Sequence, residues 1–217
     1  EKNYYVLWRL SKTKYEELVV KYQNRAQKFY KISVTAKDKS AIVDELRNLV
    51  NAYEFLIKAH DRDIESGKVL LNTYVPNRIE KLISGIKVDS ENNSQVITIG
   101  EGLDKKLIYK TTFRSLKKPL IGLPITFKKN QNDIEMNSDN VTNDEGKCTA
   151  TVYKVKSEQE YQSIVAFIDL KKWKTDPSRA HKVLDRILNQ KTKKTEKNFE
   201  IYVKPLLANE IAIKVFH

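Results

Sequence analysis

The sequence predicts an α+β multidomain protein that combines a helical hairpin region, an antiparallel β-sandwich and a small basic C-terminal α/β segment. Apolar residues recur at intervals of three and four over residues 1–88, which indicates helices, and alternate with polar residues over residues 89–170, which indicates strands. The pattern changes again over residues 171–217, where basic residues precede a further helical and strand-like pattern. At 217 residues, 40% of them hydrophobic, the chain has the size of one large domain or a few small ones.

The first region predicts two long amphipathic helices joined by a short link, followed by a shorter one. Ser11 suits the N-cap of the first helix, and the second is expected to run from Asp38 or Ser40 to near Ser66-Gly67. The third is expected to carry Pro76 in its first turn, where proline is tolerated. The predicted apolar stripes are Tyr15, Leu18, Val19, Tyr22, Ala26 and Phe29; Ile42, Leu46, Leu49, Val50, Tyr53, Leu56 and Ile57; and Ile79, Leu82, Ile83 and Ile86.

The middle region predicts several short strands separated by polar turns, a pattern typical of an antiparallel sandwich. Residues 130–144 are rich in Asn and Asp, so they are expected to form an exposed, mobile loop. The predicted strands span Val96–Ile99, Leu107–Phe113, Pro124–Lys128, Cys148–Val155 and Ser163–Leu170.

The C-terminal segment predicts one helix, a solvated linker and two strands. Asp176 would cap the helix and Pro177 would occupy its first position, with the helix ending near Asn189. The linker is expected at residues 191–197, and the strands at Phe199–Val203 and Glu210–Phe216.

Positive charge points to an acidic partner. The chain carries a net charge of +12, of which +7 falls in residues 171–217 and none in residues 91–170. Lysines beside an aromatic ring can bind single-stranded nucleic acid or acidic glycans; the alternative is that the ring packs and the lysines stay solvated. The predicted polyanion-binding residues are Lys171, Lys172, Trp173, Lys174, Lys191, Lys193, Lys194 and Lys197.

No residue pattern in the sequence amounts to a catalytic motif, and we expect neither a cofactor nor a bound metal. The single cysteine, Cys148, starts a predicted strand, where it is expected to fill the core, and no glycine-rich phosphate loop is present. The three histidines lack metal-ligand spacing, and the acidic residues of the long loop lack the spacing of a calcium-binding loop. These candidates are His60, His181 and His217 for a transition metal, and Asp133, Glu135, Asp139, Asp144 and Glu145 for calcium.

Two segments in the middle region resemble bacterial immunoglobulin-like domains. Gly122–Phe127 matches a G-x-P-hydrophobic-x-F strand, and Thr142–Ala150 matches a T-(D/N)-x-x-G turn that enters another strand. Pro124 restricts the strand start, Phe127 would fill the core between two sheets, and Gly146 can take the positive φ that closes the turn. The resemblance implies an immunoglobulin-like sandwich over about residues 89–170.

The segment from Tyr4 to Tyr15, which leads into a long helix, is similar to the end of the α/β domain in a family of bacterial outer-membrane-associated lipoproteins. Together the two resemblances imply a noncatalytic structural, docking or adhesion protein of the bacterial periplasm or outer membrane. Its partners would be envelope proteins or cell-wall polymer, and it would meet the membrane only through an anchor upstream of Glu1, as a fragment of a longer exported protein. Two alternatives remain: a module that binds nucleic acid or acidic cell-wall polymer, and an enzyme that shares its site with an upstream domain.

Overall fold

The computed structural model describes residues 12–59, 63–130, 133–156, 159–175 and 182–204. These residues form two compact units. The first unit contains the described residues up to Lys81 and those from Trp173 to Thr175, and the second contains those from Leu82 to Lys172 and from Lys182 onward. Four helices and two main sheets support the α+β class.

The first unit contains the predicted helical hairpin. Helices α1 (Lys12–Asp38) and α2 (Ile42–Lys58) pack together across a tight turn in which Ser40 has a φ of 55°. The rings of Tyr22 and Phe29 stack on the ring of Phe55, with centroids 6.1 and 5.8 Å apart. The apolar faces of the two helices therefore pack into one core.

The predicted ends of the second and third helices were wrong. Helix α2 stops at Lys58, and a small hairpin of β1 (Glu65–Ser66) and β2 (Val69–Leu70) follows, closed by Gly67 at a φ of 64°. Helix α3 (Leu71–Gly85) begins before Pro76 and holds the proline inside it. Hydrogen bonds fix this earlier start, because Ile64 accepts from the amide of Leu71 and donates to the side chain of Asn72.

A buried carboxylate on α2 bonds Thr175. Glu54, which is 2% exposed, accepts hydrogen bonds from the Lys58 ammonium and from the backbone amide and hydroxyl of Thr175. Burial alone would raise the pKa of Glu54, but these hydrogen bonds outweigh it and the pKa lies below its ordinary value of 4.5.

We therefore expect acid to weaken the first unit. The contribution of ionised Glu54 is complete above pH 4.5 and is lost as pH falls through the lowered pKa, because protonation removes the charge that Lys58 and Thr175 bind. Urea unfolding monitored by tryptophan fluorescence on either side of pH 4.5 measures the loss. In Glu54→Gln the difference between the two pH values should shrink, and an unchanged difference would show that other groups cause it.

The second unit contains two main β-sheets. Strands β3 (Ile86–Glu91), β5 (Leu107–Phe113), β9 (Lys147–Val155) and β8 (Ile134–Ser138) form the first sheet in that order, with the short β6 (Lys118–Pro119) beside β5. Strands β4 (Ser94–Thr98), β11 (Lys197–Lys204), β10 (Tyr161–Ile168) and β7 (Ile125–Lys129) form the second. Helix α4 (Lys182–Thr192) and a 3-10 turn (Lys193–Thr195) connect β10 to β11.

The strand order is that of an immunoglobulin-type sandwich. With β3 and β4 taken as two halves of the first strand, the sheets read A-B-E-D and A-G-F-C. Constant-type domains share A-B-E-D and G-F-C, and the parallel pairing of β4 with β11 is additional. All pairs in the two sheets are antiparallel except β4 with β11. Alternate side chains are buried along most of β9, β10 and β11, as the alternation of apolar residues predicted. The alternation breaks at a register shift in β9 and at the adjacent buried residues Gln162 and Ser163 of β10.

Three parts of the sandwich differ from the expectation. Residues 130–144 are not all loop, because β8 lies within them, pairs with β9 and buries Ile134 completely. Ile86, expected on a helix, begins β3. The predicted strand Phe199–Val203 is present within β11, but it lies between β10 and β4 and so completes the second sheet of the sandwich. The expected helix cap at Asp176 and Pro177 and the expected strand Glu210–Phe216 lie outside the described residues.

Gln162 is a buried polar side chain in the core of the sandwich. It is 1% exposed on the inner face of β10, and neither end of its amide finds a hydrogen-bond partner in the described part of the chain. We expect Gln162→Leu to raise the unfolding free energy by about 1 kcal/mol, because it removes an unsatisfied buried amide. Chemical denaturation measures this change. The control is Gln95→Leu, which should destabilise because the Gln95 amide bonds the backbone of Lys105 in both directions.

Candidate binding groove and basic turn

A groove of about 570 Å³ lies on the outer face of the second sheet. Its floor includes Val165 and Phe167, which point outward from β10 because their neighbours Ile164, Ala166 and Ile168 fill the core. Thr126 and Lys128 of β7 lie beside them, since Thr126 pairs with Phe167 and Lys128 with Val165. Asn189 and Thr192 of α4 supply residues on another side of the groove.

Two cations and two carboxylates line the groove: Lys128 and Lys171, and Asp169 and Glu196. One carboxylate oxygen of Asp169 accepts a hydrogen bond of 2.9 Å from the hydroxyl of Thr126. The other oxygen is buried, lies 4.0 Å from the Lys171 ammonium, and has no hydrogen-bond partner among the residues that the structure describes. The groove therefore presents both cations and hydrogen-bond acceptors, and the formal charges of these four side chains cancel.

Residues 191–197 form what we call the basic turn, and the prediction of a solvated linker there was wrong. The segment ends α4, forms the 3-10 turn and enters β11, and Thr192 and Thr195 are buried at 4% and 2% exposure. The Thr192 hydroxyl donates to the carbonyl of Leu188, and the Thr195 hydroxyl donates to the carbonyl of Thr192. Threonine hydroxyls that bond the local backbone let this polar segment pack.

A tyrosine of the first sheet anchors the basic turn. Tyr109 is fully buried, and its hydroxyl donates to the Thr195 carbonyl across 2.6 Å. Burial raises the pKa of Tyr109, so the hydroxyl stays protonated and available as a donor. Ile168 of β10 in turn donates its amide to the Thr195 hydroxyl. The turn is thus bonded to both sheets, a connection that no local sequence signal indicated.

The predicted polyanion-binding residues fall into several places. Lys171 lines the groove, and the Lys172 ammonium donates to the backbone carbonyl of Ile125. Trp173 belongs to the first unit, where the Arg47 guanidinium lies 5.3 Å from its ring centroid, and Lys174 belongs to that unit as well. The remaining four, Lys191, Lys193, Lys194 and Lys197, lie on the basic turn; Lys193 and Lys194 are exposed, and Lys194 donates to the hydroxyl of Ser84 across 2.7 Å.

Three neighbouring residues form an exposed row on the same sheet face as the groove. Val96, Tyr202 and Tyr161 are in register across β4, β11 and β10, with 57%, 42% and 46% of their surfaces exposed. The two tyrosine rings meet edge to face, with centroids 5.7 Å apart. The Tyr202 hydroxyl also donates to Glu200, which fixes the ring at the surface. No pattern in the sequence predicted this row.

Cys148 is buried, and three of the five acidic residues considered for calcium bond other side chains. Burial, with the nearby charge of Asp139, raises the pKa of Cys148 to about 12, so this thiol is a poor nucleophile. Glu135 pairs with Lys156, Glu145 pairs with Lys147, and Asp139 accepts from Thr149. The described residues contain no cluster of three or more potential metal ligands, and His60, His181 and His217 lie outside them.

No protein-family model and no curated protein matches the chain. Similar solved structures include WR4, a C. elegans MSP family member, with 10% identity over 55% of this chain and 97% of that one and a TM-score of 0.33. Titin M4 is 9% identical over 56% of this chain and 95% of its own, with a TM-score of 0.28. A cohesin module from a Clostridium perfringens family 33 glycoside hydrolase is 5% identical over 56% and 97%, with a TM-score of 0.25. Scores this low do not establish a shared fold, so the sandwich assignment rests on the strand pairing.

Across the described part of the chain, no helix has both the length and the apolar character needed to cross a membrane.

Proposed function

We propose that the chain is a noncatalytic docking module of a bacterial cell envelope, acting in the periplasm or at the outer membrane. The observation that carries the proposal is the exposed row of Val96, Tyr161 and Tyr202 on the outer face of the second sheet. Tyrosines of this kind are enriched at protein interfaces because they bury a large surface and keep a polar end. The Gly122–Phe127 and Thr142–Ala150 resemblance to bacterial immunoglobulin-like domains supports the bacterial part of the proposal. The high pKa of Cys148 argues against this one thiol as a nucleophile.

The test compares two faces of the sandwich. The immobilised full chain is exposed to a bacterial envelope extract, and the retained proteins are compared with those retained by the double variant Tyr161→Ser/Tyr202→Ser. We expect the double variant to retain at least tenfold less of a specific partner protein than the unaltered chain does. The matched control is Tyr153→Ser, which removes a tyrosine that is 54% exposed on the first sheet and should change nothing. Equal retention by all three chains would overturn docking through this row.

A second candidate function is binding of an acidic polymer, and the basic turn favours it. Buried Thr192 and Thr195 fix the backbone that carries the exposed Lys193 and Lys194. Little backbone conformational entropy is therefore lost when a polyanion binds these lysines. Counterion release predicts an affinity that falls steeply with salt.

Affinity for a polyanion such as heparin, measured at several salt concentrations, tests this candidate. Lys193→Ala/Lys194→Ala should weaken binding and flatten the salt dependence. Lys105→Ala/Lys106→Ala, which removes another adjacent pair of exposed lysines, should have a smaller effect. Binding that does not vary with salt would remove this candidate.

A further inference from the structure

We infer that β4 pairs with an extended segment of the partner protein, which joins the second sheet as an added strand. The inference rests on the proposed docking function and states how the partner engages the sheet. Strand β4 lies at the end of the second sheet beside β11, and no strand in the described part of the chain pairs with its other side. This side of β4 is therefore an open sheet edge.

The backbone of β4 turns alternate residues toward this edge. Strand β4 runs parallel to β11, where the Asn93 carbonyl accepts a hydrogen bond from the Glu200 amide. At the other end of the strand, the Ile99 amide donates to the Lys204 carbonyl. Because alternate residues of a strand bond the same neighbour, the odd-numbered residues bond β11 and the even-numbered residues face the open edge. The even-numbered residues of β4 are Ser94, Val96 and Thr98.

Free hydrogen-bonding groups remain along this edge. The backbone amides and carbonyls of Ser94 and Val96 have no hydrogen-bond partner among the residues that the structure describes, and both residues are exposed. The Thr98 carbonyl accepts from the Glu101 amide, which closes the edge at that end. An added strand can pair with the two free donors and two free acceptors, and such backbone hydrogen bonds supply the affinity of strand-addition complexes.

The other described edge strands carry features that discourage strand addition, and β4 carries none of them. Charged side chains, proline and irregular pairing commonly protect sheet edges. Lysine ammonium groups also occupy the carbonyls of Ile125 on β7 and Ile134 on β8. Strand β4 reads Ser-Gln-Val-Ile-Thr, and its pairing with β11 has no register shift. The protecting residues elsewhere are Lys87, Asp89 and Glu91 on β3, Pro119 on β6, Lys128 and Lys129 on β7, and Glu135 on β8, beside a shift in the pairing with β9.

The partner segment is expected to be uncharged and to place an apolar side chain beside Val96. Directly paired side chains on neighbouring strands lie about 5 Å apart, so this side chain would continue the exposed row of Val96, Tyr202 and Tyr161 onto the partner. A charged side chain at this position would lose hydration without gaining an opposite charge, because β4 carries none.

The length of β4 favours a segment of another protein over a second copy of this chain. Strand β4 has 5 residues. At ~3.3 Å per residue, that length is about 17 Å. Strand pairing over this length alone buries far less than the roughly 800 Å² per partner of a specific dimer. Short extended segments nevertheless bind sheet edges, because their backbones pair along the whole strand.

Amide hydrogen exchange of the full chain, measured by nuclear magnetic resonance with and without a capped peptide of alternating Thr and Val, tests the inference. In the free chain, the Ser94 and Val96 amides should exchange at least tenfold faster than the Gln95 and Ile97 amides, which bond β11. Saturating peptide should slow the exchange of Val96 at least tenfold. The control is the same peptide with every backbone amide N-methylated, which keeps the side chains, removes the donors and should not bind.

A proline substitution at the edge tests the same contact from the protein side. Val96→Pro removes the amide that faces the edge and leaves the bonds to β11, so it should weaken peptide binding at least tenfold. The matched control is Val96→Thr, which keeps the amide and the β-branched shape and should weaken binding only about threefold. Circular dichroism melting confirms that each variant is folded. Ser94→Pro, at the first position of the strand, where proline is tolerated, replaces Val96→Pro if that variant does not fold.

Each contrary outcome overturns the inference in a distinguishable way. Slow exchange of the Ser94 and Val96 amides in the free chain would show that the edge is already paired. Protection that rises with the concentration of the chain alone would identify a second copy as the occupant. Equal binding of the N-methylated peptide would show that side chains alone are recognised, and no binding of the unmodified peptide would remove strand addition.

The envelope-extract experiment separates this inference from the proposed function. If Tyr161→Ser/Tyr202→Ser loses a partner that Val96→Pro retains, docking through the exposed row stands and strand addition fails. If neither variant loses a partner, both fail. Loss of the same partner in both variants, with Val96→Thr retaining it, is the result that the inference predicts.

Discussion

Replacing Gly146 by alanine is expected to lower the unfolding free energy of the sandwich by about 3 kcal/mol or more. Gly146 ends the Thr142–Gly146 turn with a φ of 70°, a region that side chains with a Cβ rarely adopt. An added Cβ would also lie 2.4 Å from the backbone carbonyl oxygen of Thr111. Because that oxygen belongs to the backbone, no side-chain rotation can remove the clash. Hydrogen exchange of the β9 amides under increasing urea measures the loss in this unit.

Gly100→Ala is the matched control for this substitution. Gly100 has a φ of 88°, but nothing lies within 4 Å of the position that its Cβ would take. It should therefore lose only the backbone contribution, about 1 kcal/mol. Equal losses in the two variants would show that the close approach to Thr111 has no energetic weight, and that the turn is not packed against β5 as described.

Replacing Arg78 by methionine is expected to destabilise the first unit by about 3 kcal/mol or more, because it leaves a buried carboxylate without its cation. Glu45 is 2% exposed, and Arg78 donates to both of its oxygens, at 2.7 and 3.0 Å. These hydrogen bonds also raise the pKa of Arg78. Urea unfolding followed by tryptophan fluorescence reports the change, since Trp173 lies in this unit.

The double variant Glu45→Leu/Arg78→Met separates charge from packing. With both charges gone, no unpaired carboxylate remains, and most of the lost stability should return. If the double variant is as unstable as Arg78→Met alone, the loss comes from packing of the arginine stem and not from the stranded charge of Glu45.

The sequence was informative where hydrophobic periodicity is long and local. The stripes of α1 and α2 and the alternation in β5, β9 and β10 predicted these elements, because burial of one face imposes the period. Element ends were less predictable. Helix α3 begins at Leu71 because Leu71 and Asn72 form hydrogen bonds with Ile64. Strand β8 forms because pairing with β9 buries Ile134 in the core. Such long-range contacts leave no local pattern.

The candidate site was predictable only in part. Lys171 and the lysines of the basic turn were identified from charge alone. The groove was not, since Val165 and Phe167 are apolar like the core residues beside them, and the sequence does not show which face of β10 is covered. The anchoring of the basic turn depends on Tyr109, 86 positions before Thr195, so its buried threonines resembled a solvated linker.

The placement of β11 between β10 and β4 supports every part of the proposed sites, because it brings the basic turn to the groove and aligns the exposed row. Nuclear Overhauser effects from the Tyr202 ring in the full chain test this placement most directly. The register predicts contacts both to the Tyr161 ring and to the Val96 methyl groups. Contacts to neither residue, with rapidly exchanging amides over residues 197–204, would contradict the account.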